Sequence, residues 1–144
     1  MAYSSFENLE VWRRAVELAV NVCREADSIP SLALRNQIHR CVISVPSNIA
    51  EGSERDSVGD YVRFLRIAKG SAAELRTQLL IARRLEYLSE IFARTAEDEA
   101  RQIGAMLQGL IRSLNASELR DTPENAVTYG SMSPEPRQLP ELQT

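Results

Sequence analysis

The chain has 144 residues, 44% of them hydrophobic and 26% charged, which suits one domain with a packed core. A formal net charge of −3 argues against generic nucleic-acid binding, and no run approaches the ~18 uninterrupted apolar residues of a membrane span. The start of the chain lacks a basic region followed by an apolar run, so a cytoplasmic protein without a membrane partner is expected.

Phe6 to Asp27 is the first predicted helix. Leu9, Trp12, Val16, Ala19, Cys23 and Ala26 recur in steps of three and four, the seam of a helix lying nearly parallel to its neighbours. Val11, Ala15, Leu18 and Val22 form a second apolar row, which predicts burial against two neighbours, or against one neighbour and another subunit. Ser28-Ile29-Pro30-Ser31 ends the helix, because proline disfavours helical geometry before it.

The second helix is predicted over Leu32 to Glu51, with Leu34, Ile38, Cys41, Val45 and Ile49 inward. Pro46 lies inside this pattern; an interior proline costs roughly 3 kcal/mol or more unless the bend is used, which predicts a kink near Val42 to Pro46. Gly52 is placed as a C-terminal cap, and Ser57 as the N-cap of a third helix. That helix, Val58 to Tyr87, carries Tyr61, Leu65, Ala68, Ala72, Leu75, Leu79 and Ala82 at four-three spacing, with Phe64, Ile67, Ile81, Leu85 and Leu88 on an adjoining row. Gly70, in a cluster of small residues, predicts a close helix approach. Ser89-Glu90 opens a fourth helix, in which Ala96, Ala100, Ile103, Leu107, Leu110 and Leu114 keep the rhythm to Asn115.

Four such seams with short connections predict an all-α, up-down-up-down four-helix bundle over residues 1–115. Periodicity stops at Ala116. Residues 116–144 hold Pro123, Pro134, Pro136 and Pro140 with five acidic and two basic residues, against fifteen of each in 1–115, so a flexible acidic tail is expected. Cys23 and Cys41 lie on apolar stripes without Cys-x-x-Cys spacing and read as small buried thiols.

A bundle with interior carboxylates could hold a di-iron centre, which needs Glu-x-x-His pairs on two helices. The sole histidine, His39, has no glutamate three residues before it, so no metal and no other cofactor is expected. No Ser-His-Asp set, phosphate-cradling glycine loop or reactive-cysteine motif is present, which disfavours an enzyme. Ser44, Asn48, Glu51 and Glu74 lie on or near apolar rows and, with Arg40, are read as a structural polar network fixing helix register. On the third helix Arg66 accompanies Lys69, Arg76 and Arg83, the last three recurring every seven residues and therefore on one face. With Arg55 and Arg63 nearby, this basic stripe is the candidate phosphate contact, and its affinity would grow if several subunits brought their stripes together.

Four stretches, Phe6 to Trp12, Leu34 to Arg40, Ser44-Val-Pro-Ser-Asn-Ile-Ala-Glu-Gly52 and Phe64 to Leu75 with its Gly-Ser-x-x-Glu-Leu element, resemble the four-helix-bundle proteins encoded in intervening sequences of large-subunit ribosomal RNA. The resemblance spans about residues 6–115. It implies a homopentamer without established catalytic activity and with a role in binding RNA. The bundle is also similar to the accessory variability protein of diversity-generating retroelements, a pentameric barrel that binds nucleic acid and a reverse transcriptase. The expected function is therefore a homopentameric bundle that binds structured RNA, DNA or a nucleic-acid–protein complex. The alternative is a scaffold that recruits a protein such as a reverse transcriptase.

Overall fold

A short 3-10 turn at Phe6–Asn8 precedes four helices, α1 (Glu10–Ala26), α2 (Leu32–Ser53), α3 (Val58–Arg84) and α4 (Glu90–Asp121), in the computed structural model, which describes residues 5–121. Each helix packs on the next in the chain and α1 closes against α4, while the diagonal pairs do not approach each other. With connections of four or five residues, this is the antiparallel ring of an up-down-up-down bundle. None of the helices is long and apolar enough to cross a membrane.

Serine side chains start three of the helices by accepting a hydrogen bond from an amide of the first turn. Ser31 Oγ accepts from Leu34 at 3.3 Å, Ser57 Oγ from Asp60 at 3.1 Å, and Ser89 Oγ from Phe92 at 3.2 Å. The end of α3 is a reversal in which the Tyr87 amide donates to the Ala82 carbonyl at 2.9 Å and the Glu86 amide to Arg83 at 3.0 Å. Glu86 bears the left-handed conformation that this motif needs, φ 60°.

Of the expected α3 seam, Leu65, Ala68, Ala72, Leu75, Leu79 and Ala82 are buried and Tyr61 is half-buried, with Val62 buried beside it. Ile38, Cys41, Val45 and Ile49 of α2 and Ala96, Ala100, Ile103 and Leu107 of α4 meet them. Pro46 is buried inside α2, which remains one helix through it. The second row expected of α3 divides: Phe64 is buried and Ile67 and Ile81 are exposed, while Leu85, exposed, and Leu88, buried, lie in the connection because α3 ends at Arg84 and not at Tyr87.

Four expectations are corrected. Helix α1 begins at Glu10, because Ser5 caps the separate turn at Phe6–Asn8 and Leu9 is extended. Its core row is Val11, Ala15, Leu18, Val22 and Ala26; Trp12, Val16, Ala19 and Cys23 of the expected seam are only half-buried on the flank. Gly70 lies on the surface with open space around it. The glycine of close approach is Gly52, which sits inside α2 with an ordinary helical φ: an added Cβ would lie 2.8 Å from Phe64 Cβ and 3.2 Å from the Tyr61 carbonyl oxygen. Finally, α4 runs on to Asp121, so residues 116–121 of the expected tail continue the helix and 122–144 lie outside the described residues.

Candidate nucleic-acid interface

Because Leu65, Ala68, Ala72 and Leu75 turn into the core, Arg66, Lys69, Gly70, Ala73 and Arg76 are left on the exposed face of α3. Opposite them α4 presents Arg101, Gly104, Ala105 and Gln108. The small side chains in the middle leave a solvent-open groove of about 600 Å³ between the two helices, with cations along its lips. Sharing Ala73, Arg76 and Arg101, it continues into a second hollow of about 570 Å³ that reaches Arg94, Glu97 and Asp98. Arg66 and Arg76, ten residues apart, lie about 15 Å apart along the helix.

The six cations of the predicted stripe fall into three groups. Arg66 and Arg76 make no hydrogen bond or ion pair among the described residues, and Lys69 Nζ donates only to Gln108 Oε1 at 2.7 Å. These three form the free rim. Arg55 and Arg63 lie at its far end, each with its guanidinium over the Phe64 ring, 4.7 and 4.6 Å from the centroid. Each has a surface carboxylate as well, Glu51 at 3.0 Å and Asp60 at 3.6 Å. Arg83 stands apart from the rim. Its Nε donates to Glu97 at 3.0 Å, it pairs with Glu90 at 3.5 Å, and its side chain is only 14% exposed. The Glu97 hydrogen bond raises its pKa, so Arg83 is tied into the packing of α3 on α4.

Sequence reasoning missed the α4 side of this surface. Arg101 is neutralised locally by Asp98, whose pKa is held low by that hydrogen bond and a second from Gln102. Arg112, exposed and four residues beyond Gln108, extends the same lip by helical spacing. The steps from 101 to 105, 108 and 112 are visible in the sequence. Only the α3–α4 pairing shows that the first three of them line the groove.

The expected polar network is smaller than predicted and lies between α2 and α3. Ser44 Oγ and Ser71 Oγ are 2.9 Å apart, and Asn48 Nδ2 donates to both the hydroxyl and the carbonyl of Ser44, at 2.9 and 2.8 Å. Glu74 accepts from the Cys41 thiol at 3.3 Å, and the same sulfur accepts from Gln78 Nε2 at 3.2 Å. Burial pushes the Cys41 thiol above its ordinary range, which makes it a poor nucleophile. Arg40 and Glu51, expected in this network, lie outside it: Arg40 is exposed and makes no ion pair among the described residues, and Glu51 pairs with Arg55. Both cysteines are free, Cys41 buried and Cys23 half-buried. Among the described residues no group of three or more His, Cys, Asp or Glu is placed to hold a metal ion.

The profile of the 23S rRNA-intervening sequence proteins matches residues 7–109. The chain belongs to that family. The match takes in α1 to α3 and most of α4, including all of the groove's free rim. No curated protein matches the chain significantly. A crystal structure of a protein with unknown function from the S23 ribosomal protein family of Bacteroides thetaiotaomicron has the same fold, with a TM-score of 0.68. It is 24% identical, and the likeness covers 70% of this chain and 97% of that one.

Proposed function

We propose that this member of the 23S rRNA-intervening sequence protein family is a binding protein, assembled as a homopentamer, that holds structured RNA by its phosphates along the α3–α4 groove. The observation that carries this reading is the free rim: Arg66 and Arg76 have no partner among the described residues and stand on either side of Lys69, beside a groove open to solvent. A cation already paired in the fold gains little from a phosphate, because its existing partner must first be given up; an unpaired one only releases water and counterions. Self-assembly is supported by exposed Ile81, Leu85 and Ile91, the last 81% exposed, at the end of the bundle where α3 turns into α4. Assembly would bring several rims onto one particle and multiply the phosphates contacted.

The test joins light scattering with a salt titration of binding to a hairpin RNA. A particle near five subunits, with log affinity falling linearly with log salt at about 0.7 to 0.9 per phosphate contacted, is the expected result. The Arg66→Ala, Lys69→Ala, Arg76→Ala triple variant should flatten that slope by about two to three. Undiminished binding by this variant would sink the reading. The groove would then be a solvated face and the exposed apolar end would point to a protein partner, such as a reverse transcriptase.

A further inference from the structure

We infer that residues 122–144 of this chain dock into the α3–α4 groove and compete there with polyanions. The competition rests on the phosphate-binding reading above; the docking does not. Helix α4 carries the chain past one end of the groove. Lys69 meets Gln108 and Arg83 meets Glu97, so residue numbers on α3 and α4 run in opposite directions, and Asp121 lies level with the start of α3. From Asp121 back to the level of Gln108 is thirteen residues, about 20 Å along the helix, and to the level of Arg101, which shares the groove with Arg76, about 30 Å.

Residues 122–144 span that distance easily. Fully extended they would cover about 75 Å, and as a random coil their ends would lie about 25 Å apart, close to the separation required. Their charge is complementary to the rim: Glu124, Glu135 and Glu141 against one basic residue, Arg137. By chain length alone, three residues past Asp121 are enough to bring Glu124 toward Arg112, and the lengths to Glu135 and Glu141 are enough to span to the levels of Lys69 and Arg76. Four prolines in this stretch favour an extended backbone that needs no partner strand and loses little entropy when laid in a groove. Gly70, Ala73, Gly104 and Ala105 leave room for such a backbone to lie close to both helices. Tethering places the segment at a high effective concentration that no second copy matches in dilute solution.

Lys69 is the sole lysine of the chain, which makes the proposal directly testable. Treatment of the full-length protein with a water-soluble carbodiimide joins an ammonium group to a carboxylate in contact with it, and peptide mass spectrometry identifies the pair. The expected product links Lys69 to Glu135 or Glu141 within one chain, migrates as a monomer, declines with added salt and is absent from Lys69→Arg. Linkage of Lys69 only to carboxylates of α3 or α4, or only between chains, would overturn the docking. Neutralising the segment by Glu124→Gln, Glu135→Gln and Glu141→Gln in the full chain should raise affinity for the hairpin RNA by about three- to tenfold. Saturating RNA should suppress the cross-link. If the cross-link persists with RNA bound, docking stands and the competition falls, together with the assignment of RNA to this groove.

Discussion

Helix α3 treats its two neighbours differently. Toward α2 its polar side chains find partners: Ser71 meets Ser44, Glu74 accepts from the Cys41 thiol, and Gln78 Nε2 donates to the Cys41 sulfur, leaving Gln78 Oε1 buried without a partner among the described residues, while Phe64 and Tyr61 close over Gly52 without room for a methyl group. Toward α4 its outer edge stays open, with Arg66 and Arg76 unpaired among the described residues above a floor of glycine and alanine. Lys69 there meets only the neutral Gln108, and Arg83, near the C-terminal end of that edge, is the cation tied to carboxylates of α4, Glu97 and Glu90. The difference teaches that a polar residue's spacing says which face it occupies, and its partner says whether that face is structure or surface.

Four experiments would break or sharpen this contrast. The largest effect is expected on the closed side. Gly52→Leu forces bulk into a contact where even a Cβ would meet Phe64 at 2.8 Å; it should destabilise the fold by about 2 to 3 kcal/mol, read from the urea midpoint. Next comes a paired comparison along the open side. Arg76→Ala should lower RNA affinity several-fold at low salt and leave the melting temperature unchanged, whereas Arg83→Ala should lower the melting temperature by stranding Glu97 and change RNA affinity less. If the two variants behave alike, the division between free rim and structural cation is wrong. Asn48→Ala removes two hydrogen bonds to Ser44 and should cost about 1 kcal/mol in chemical denaturation. Glu86→Gly relieves a left-handed residue at the α3–α4 turn and should stabilise by about 0.5 to 1 kcal/mol.

Much of the architecture is legible because α4 carries one apolar row, and in α3 one row keeps the four-three rhythm along the whole helix while the adjoining row is broken between Ile67 and Ile81. Helix α1 defeats the same reasoning. It has two rows of similar apolar content, and nothing in the residues themselves says that Val11 and Ala15 go inward while Trp12 and Val16 remain on the flank. The glycines trade roles for a related reason. Gly52 and Gly70 are both helical, and only the position of the neighbouring helix shows which of them a methyl group would obstruct. At the groove, the shared face of Lys69 and Arg76 is readable from their seven-residue spacing. The commitment of Arg83 is not, because its partner Glu97 lies across a turn on another helix. The identity of Ser71 as the second half of the Ser44 contact is hidden in the same way.

The ring of helices is also uneven, and its thinnest seam lies between α1 and α4. There Arg14 grips Glu99 through two hydrogen bonds of 2.7 and 2.8 Å and Gln102 through a third of 2.7 Å, and a cleft of about 310 Å³ opens beside it against Phe92 and Ala96. A closed ring with one weak join comes apart at that join. Helix α1 is therefore the element to swing away first, leaving α2, α3 and α4 as a three-helix sheaf, and its amides should exchange with solvent through that partial opening long before those of α3.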